Sequence, residues 1–354
     1  VTAPGAVGPV AAAVLTLGTP WPLDPPLWLA GLAALLAALS AAAVGVLVRG
    51  AYRLARHGFA AFAGRGGFAG RAARGGAGRA GRGGRAGRGG RAGRRLRSTA
   101  WTAALLVLAV AGSTAAAPAG GPPTSPGGVA GDPGPEGSAF LRLPVSASRP
   151  PVRVYAPLGT APSAAATALV EAGGLDRGTV LVLVPTGSGW VDPAAVTSLE
   201  RRLDGDVATI AAQYADRPSW VEYLVGRDRA RRSASAVVDA VRAAVDRRPP
   251  GHRPRLLLYG ESLGAVAALP AAGPVDGCLL AGRPGSEGTS GPCIEVRNAD
   301  DPVVRWSPGL LLEGIPLVTF WQVSAALVIA QEAGPDRGHR YQAGLDQGWA
   351  ALVG

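Results

Sequence analysis

The sequence contains no lysine and no methionine, three histidines, two cysteines and 5% aromatic residues. Without lysine, all 35 basic residues are arginine. Two cysteines, Cys278 and Cys293, are too few for a disulfide-rich scaffold or a cysteine-built metal site, and no cofactor is expected. The absence of methionine, position 1 included, points to an alternative start codon or a trimmed N-terminus. Acidic residues are missing where basic ones are densest: Arg49 to Arg97 holds fourteen arginines and no Asp or Glu. From Asp132 onwards, 21 arginines stand against 23 acidic residues. The net charge of +11 therefore belongs to one segment and says nothing about the partners of the C-terminal part.

Apolar and small residues are abundant. The chain is 48% hydrophobic with a positive mean hydropathy, as for a membrane-associated protein, and its 354 residues suit about two domains. Residues 1–20 are interrupted by Pro4, Pro9 and Pro20, so Ala11 to Leu17 fits half a membrane segment or an irregular start equally well. Leu27 to Val48 has no charged residue, with Trp28 at one end and Arg49 and Arg53 beyond the other; this predicts a transmembrane helix over 27–48. Residues 49–97 are Gly, Ala and Arg of low complexity, with Arg-Gly-Gly at Arg65, Arg74, Arg82 and Arg88. Such a stretch cannot bury enough apolar surface to offset its ordering entropy, and is expected to be a disordered cytoplasmic loop. Arg-Gly-Gly tracts also suit contacts to nucleic acid or anionic headgroups, but aromatics are confined to Tyr52, Phe59, Phe62 and Phe68, so nucleic-acid binding is disfavoured. A second apolar stretch, 98–117, comes after Arg94-Arg95-Leu96-Arg97 and reads as a second transmembrane helix or a signal-like anchor ending in Ala115-Ala116-Ala117. Either way, the positive loop stays inside and the C-terminal domain lies outside the cell membrane, multi-pass or signal-anchored. The membrane region is thus 1–117, a Pro/Gly linker spans 118–139, and the remaining domain spans 140–354.

Within that domain, strand and helix patterns alternate. Val152–Tyr155, Thr179–Val184, Val207–Ile210, Leu256–Tyr259, Val275–Leu280 and Cys293–Val296 read as strands. Ala164–Ala172, Pro193–Leu203 (capped by Asp192), Asp228–Arg247, Phe320–Gln331 and Gln342–Leu352 read as helices. This alternation predicts an α/β fold: a mostly parallel sheet with helices on both faces and its functional loops at the carboxyl ends of the strands.

One stretch carries chemistry. Arg255–Tyr259 runs into Gly260-Glu261-Ser262-Leu263-Gly264 and then a small-residue helix, which is the pattern of a nucleophile elbow. It nominates Ser262 as nucleophile and the Leu263 N–H as one oxyanion donor. A second donor is expected after the Thr179–Val184 strand, from Gly187 or Ser188. Triad order on such a sheet is Ser, then acid, then His. His57 lies in the Arg-rich loop and His252 in a Pro-rich turn, which leaves His339 as base. The acid falls in Asn298-Ala299-Asp300-Asp301-Pro302, as Asp300 or Asp301. Trp190, Trp220, Trp306 and Trp321 fall near the same loops, either lining an acyl pocket or packing the core. Cys278 and Cys293 flank the segment 281–292 and pair across it or remain as buried thiols.

Longer motifs extend this. Pro185-Thr186-Gly187-Ser188-Gly189-Trp190-Val191-Asp192-Pro193, Gln213-Tyr214 with Pro218-Ser219-Trp220, Asp301-Pro302-Val303-Val304-Arg305-Trp306-Ser307-Pro308, Val318-Thr319-Phe320-Trp321-Gln322 and Gly338-His339-Arg340-Tyr341 accompany the elbow. With them, the sequence over about 152–350 resembles an actinobacterial membrane-anchored α/β-hydrolase family, formerly a domain of unknown function. The resemblance implies an α/β-hydrolase fold, Ser262 as nucleophile and His339 as base, and it selects Asp301, the acid immediately before Pro-Val-Val. It implies no substrate. The segment between the fifth strand and the acid loop, 281–292, is shorter than the family's. The expectation is a membrane-anchored serine esterase or lipase-like enzyme acting on an acyl ester, with membrane lipid or a small acyl ester as partner. The alternative is an inactive, membrane-tethered hydrolase-fold binding protein.

Overall fold

The computed structural model of the protein describes residues 7–63, 131–285 and 293–354. The second apolar stretch at 98–117, the Arg-Gly tract beyond residue 63 and linker residues 118–130 lie outside the described residues.

Six strands form one parallel sheet: β1 (Val152–Ala156), β2 (Thr179–Val184), β3 (Val207–Ala212), β4 (Arg255–Glu261), β5 (Gly277–Ala281) and β6 (Ile294–Val296), in the order β1-β3-β2-β4-β5-β6. Successive side chains on a strand point to opposite faces, so a sheet covered on both sides needs continuous apolar runs. In β2, all six residues are buried: Val180, Val182 and Val184 on one face, Leu181 and Leu183 on the other. The first face packs under α4 (Pro162–Glu171), α7 (Arg227–Asp246) and α8 (Leu263–Ala268); the second under α3 (Gly134–Leu141), α5 (Pro193–Arg202) and α11 (Gln342–Val353). Helix α7 buries Ala230, Ala234, Val237, Val238, Val241, Ala244 and Val245, the three-and-four spacing of an amphipathic helix. Arg153, the charged residue within β1, is matched by Glu200 of α5 through two hydrogen bonds of 2.7 and 2.6 Å. This is the α/β architecture, a parallel sheet with helices on both faces, that the strand and helix patterns imply.

The register aligns the strand tips. Val184 pairs with Gly260, Glu261 with Ala281, and Ala281 with Val296, so β2, β4, β5 and β6 end along one edge. Loops leaving that edge are neighbours in space although their residues are far apart in sequence.

Two boundaries differ from expectation. Residues 134–139, read as linker, belong to α3: the Gly134 N–H donates to Asp132 at 3.0 Å, Pro135 suits the first turn, and Phe140 and Leu141 bury against the sheet. The expected end of the apolar helix at Val48 is passed: α2 runs Leu27–Ala63, since Ala, Leu and Arg favour helix and no proline intervenes. A further helix, α6 (Ser219–Val225), was not foreseen.

Within α2, residues Leu27–Ala51 are long and apolar enough to cross a membrane, and 22% of their most apolar window is buried. The preceding helix α1 (Val7–Gly18) packs on α2, and both meet α10 (Val318–Ala326) in the C-terminal part. Ala12, Leu29, Ala33, Leu36 and Ala37 bury against Val318, Trp321 and Ala325. Polar groups there are satisfied across the contact: Gln322 donates to Thr16 O at 2.9 Å and Thr19 Oγ1 at 2.7 Å, and Trp321 Nε1 donates to Ser40 Oγ at 3.0 Å. Trp306 stacks edge-on with Tyr223 of α6, meets Phe320, and donates to Ser324 at 3.0 Å. Trp306 and Trp321 thus act as packing residues around α10. Cys278 and Cys293 form a disulfide with Cα atoms 4.8 Å apart, stapling β5 to the start of β6.

Candidate active site

β4 delivers Ser262 at the sheet edge, and α8 leaves directly behind it. The turn between them is tight enough to dictate its glycines. A Cβ on Gly264 would meet the carbonyls of Val184 and Pro185, and one on Gly260 would lie 2.5 Å from the Gly264 carbonyl. Ser262 itself sits at φ +55°, ψ −122°, a backbone conformation that a residue with a Cβ adopts at a cost of about 1–3 kcal/mol. Its N–H donates to Ala281 O at 2.9 Å, tying the elbow to the tip of β5. Leu263 opens α8, so its N–H has no intrahelical acceptor.

Asp301 comes after β6 and caps α9 (Pro302–Arg305), accepting the Val303 N–H at 2.8 Å. Fixed in this way and fully buried, it accepts from His339 Nδ1 at 2.9 Å. His339 is held from its own side by its N–H, which donates to Ala330 O at 2.9 Å. Between two aspartates only one touches the ring. Asp300 instead accepts the Gly338 N–H at 2.9 Å and pairs with Arg337 at 3.2 Å, shaping the loop that presents His339. The imidazole lies against Gly282, the residue after Ala281, where any Cβ would collide with the His339 ring and Tyr341. His339 is therefore brought to the strand tip to which the Ser262 backbone is bonded. His339 Nε2 is buried and has no hydrogen-bond partner among the described residues; the Ser262 hydroxyl does not reach it in this conformation. Among the described residues, a Glu261 carboxyl oxygen, Oε1, lies 3.9 Å from Nε2.

Three residues of this cluster carried no signal strong enough to be nominated. Tyr341 hydrogen-bonds Asp301 and lies 2.7 Å from His339 Nδ1. Glu261 is buried and accepts from Tyr259 at 3.2 Å. Asp192, foreseen only as a helix cap, does cap α5 by accepting the Ala194 N–H at 2.8 Å. Burial drives the Glu261 carboxyl well above the usual carboxylate range, and the neighbouring Asp192 carboxyl adds to this. Asp192 is also raised by burial, against the pull of its Ala194 hydrogen bond. Tyr341 is pushed well up by burial and by the Asp301 charge. The available cue was a Glu inside an otherwise apolar strand end.

The loop after β2 differs in one respect. The Gly187 N–H, expected as an oxyanion donor, is engaged by Ser219 Oγ at 2.9 Å, because α6 folds back over this loop. The Ser188 carbonyl accepts from Gln213 at 2.9 Å, and Gly189 holds the turn at φ +92°.

A family model described as an alpha/beta-hydrolase family matches residues 152–310. The match takes in Ser262 and Asp301 and stops before His339. No curated protein matches the chain.

Proposed function

We propose that the chain is a membrane-anchored serine hydrolase that cleaves an acyl ester with Ser262, His339 and Asp301. The observation that carries this reading is the buried His339 ring, bonded to Asp301 at Nδ1 and without a hydrogen-bond partner at Nε2, beside the strained turn that carries the half-buried Ser262. A proton on Nδ1, donated to Asp301, leaves the Nε2 lone pair able to take the Ser262 proton. A rotation of the serine side chain on substrate binding closes the remaining gap, as catalytic hydrogen bonds often tighten only in the complex.

In the first half-reaction, Ser262 Oγ bonds to the ester carbonyl carbon while its proton passes to His339. The oxyanion is held by the Leu263 N–H and a second donor from the 187–188 loop; use of the Gly187 N–H requires Ser219 Oγ to give way. The imidazolium then protonates the leaving alcohol. Water repeats the sequence on the acyl-enzyme, releasing the acid. The apolar span Leu27–Ala51 supplies the anchor, and α10, packed on it, lies with it at the bilayer, where a lipid ester is a natural substrate. The outside placement of the domain, with residues 49–97 inside, rests on the asymmetry of arginine.

The test is hydrolysis of short- and long-chain nitrophenyl esters by the full chain in vesicles. Activity that disappears in Ser262→Ala supports the proposal. Equal activity in that variant, or none in the parent over all chain lengths, rejects it in favour of a tethered binding fold.

A further inference from the structure

The exposed apolar side chains of the hydrolase domain are not scattered. Among its described residues, 131–285 and 293–354, seven large ones are exposed. Five of these fall in two short segments: Leu224 and Val225 at the end of α6, and Leu311, Leu312 and Ile315 between α9 and α10. Leu312 is 85% exposed and Val225 70%. Single exposed apolar residues are ordinary, whereas a cluster marks a surface that something covers.

The two segments are tied together. Trp306, just after α9, meets Tyr223 of α6 and Phe320 of α10, with ring centroids 6.1 and 6.2 Å apart. Ile315 is bonded to the first turn of α10: its N–H donates to Thr319 Oγ1 at 3.1 Å, and its carbonyl accepts the Thr319 N–H at 3.0 Å. Helix α10 packs on α2 within the apolar span, where Trp321 donates to Ser40. The cluster is thus continuous with the one segment, among the described residues, that is long and apolar enough to cross a membrane. The charges around it suit a headgroup layer. Arg227, Arg231 and Arg232 are exposed at the start of α7, directly after Val225. Glu313 is exposed between Leu312 and Ile315, which keeps that loop at interfacial depth rather than in hydrocarbon. Both segments also border the site. Helix α6 holds the loop after β2 through Ser219 and Gly187, and the loop bearing Leu312 follows the helix that Asp301 caps.

We propose that Leu224, Val225, Leu311, Leu312 and Ile315 form a rim seated among the lipids of the bilayer that α2 enters, and that the substrate is a lipid ester whose acyl chain passes from that leaflet to Ser262. The substrate half of this inference rests on the reading of Ser262 as nucleophile; the lipid contact does not.

Both native cysteines are held in the disulfide, so Leu312→Cys or Val225→Cys supplies a single free thiol for a nitrobenzoxadiazole fluorophore. Val170→Cys, exposed at the end of α4 and near the amino end of β2, is the control on the opposite end of the sheet from Ser262. The labelled full chain is placed in vesicles of phosphatidylcholine and phosphatidylglycerol with and without tail-brominated lipid. Emission from positions 312 and 225 should shift to the blue and be quenched by the brominated lipid, and that from position 170 should not. Quenching no stronger at 312 and 225 than at 170 overturns the rim. So does a blue shift without quenching, which means that protein covers it, either a second copy or residues 98–117. The substrate half is read from Leu312→Asp and Val225→Asp, which should slow hydrolysis of a long-chain ester in the vesicles about tenfold and leave a short, soluble ester within about twofold of the parent. An equal loss on both esters overturns that half. Quenched probes in a chain that neither hydrolyses an ester nor takes up a fluorophosphonate support the rim and reject the hydrolase reading alone.

Discussion

Replacing Asp301 by Asn exchanges one carboxylate oxygen for an NH2 group and should separate catalysis from folding. The Oδ1 atom caps α9 by accepting the Val303 N–H at 2.8 Å, and an amide oxygen can do the same. The other oxygen accepts from His339 Nδ1 at 2.9 Å and from the Tyr341 hydroxyl. Turned into an NH2 group, it can only donate, so His339 Nδ1 must become the acceptor and the ring proton moves to Nε2. An imidazole protonated at Nε2 cannot take the proton of Ser262. The wrong tautomer in such a triad costs about 10⁴-fold in kcat, or ~5.5 kcal/mol of transition-state stabilisation. The stability cost is smaller: Tyr341 loses one charge-assisted acceptor in a buried site, about 1.5–3 kcal/mol. Ester hydrolysis rates beside thermal unfolding of the same preparations would resolve the two. A folded Asp301→Asn protein that retains a tenth or more of the parental kcat would refute this reasoning, because Asp301 would then not be fixing the proton on His339.

The Cys278–Cys293 disulfide closes a 15-residue separation, so replacing both by Ala should lower stability by about 3 kcal/mol, and reduction should add two hydrogens to the unfolded chain's mass. Because that link holds β5 and Gly282 against the His339 ring, reductant should also slow ester hydrolysis in the folded protein, read as a rate ratio with and without it. Glu261 carries a pH signature. Its folded pKa is raised above the ordinary 4.5, so above that value the unfolded chain releases a proton that the folded chain keeps, and stability falls as pH rises. Glu261→Gln has no proton to release, so its stability relative to the parent should be greater at pH 8 than at pH 5. Equal differences at the two pH values would show that Glu261 ionises freely in the folded protein.

The sheet was legible because its residues answer to local physics. Uninterrupted runs such as Thr179–Val184 have one stable home, a strand covered on both faces, and all six strands lie where those runs predict. The elbow was legible because Gly260 and Gly264 are imposed by sterics that any sequence with this turn must satisfy. Histidine scarcity left His339 as the sole candidate in the right order, and it meets Asp301. Other features depend on tertiary contact. Helix α3 forms where Pro and Gly suggested a linker, since Phe140 and Leu141 find a covered site on the sheet. The packing of α1 and α2 on α10 joins residues some 300 positions apart, as in the 306-residue separation of Gln322 and Thr16. Nothing in either segment alone announces it. Tyr341, Glu261 and Asp192 are ordinary residues in a sequence; only burial and proximity give them a part in the site. The engagement of Gly187 by Ser219 has the same origin, because it depends on α6 folding over the loop.

Mapping the fluorophosphonate adduct by peptide mass spectrometry tests the central assignment most directly. The mechanism predicts one modified peptide, carrying the phosphonyl group on Ser262, and its disappearance in Ser262→Ala and in His339→Ala. An unmodified Ser262 in the active preparation, or an adduct that persists elsewhere when Ser262 is removed, would contradict it.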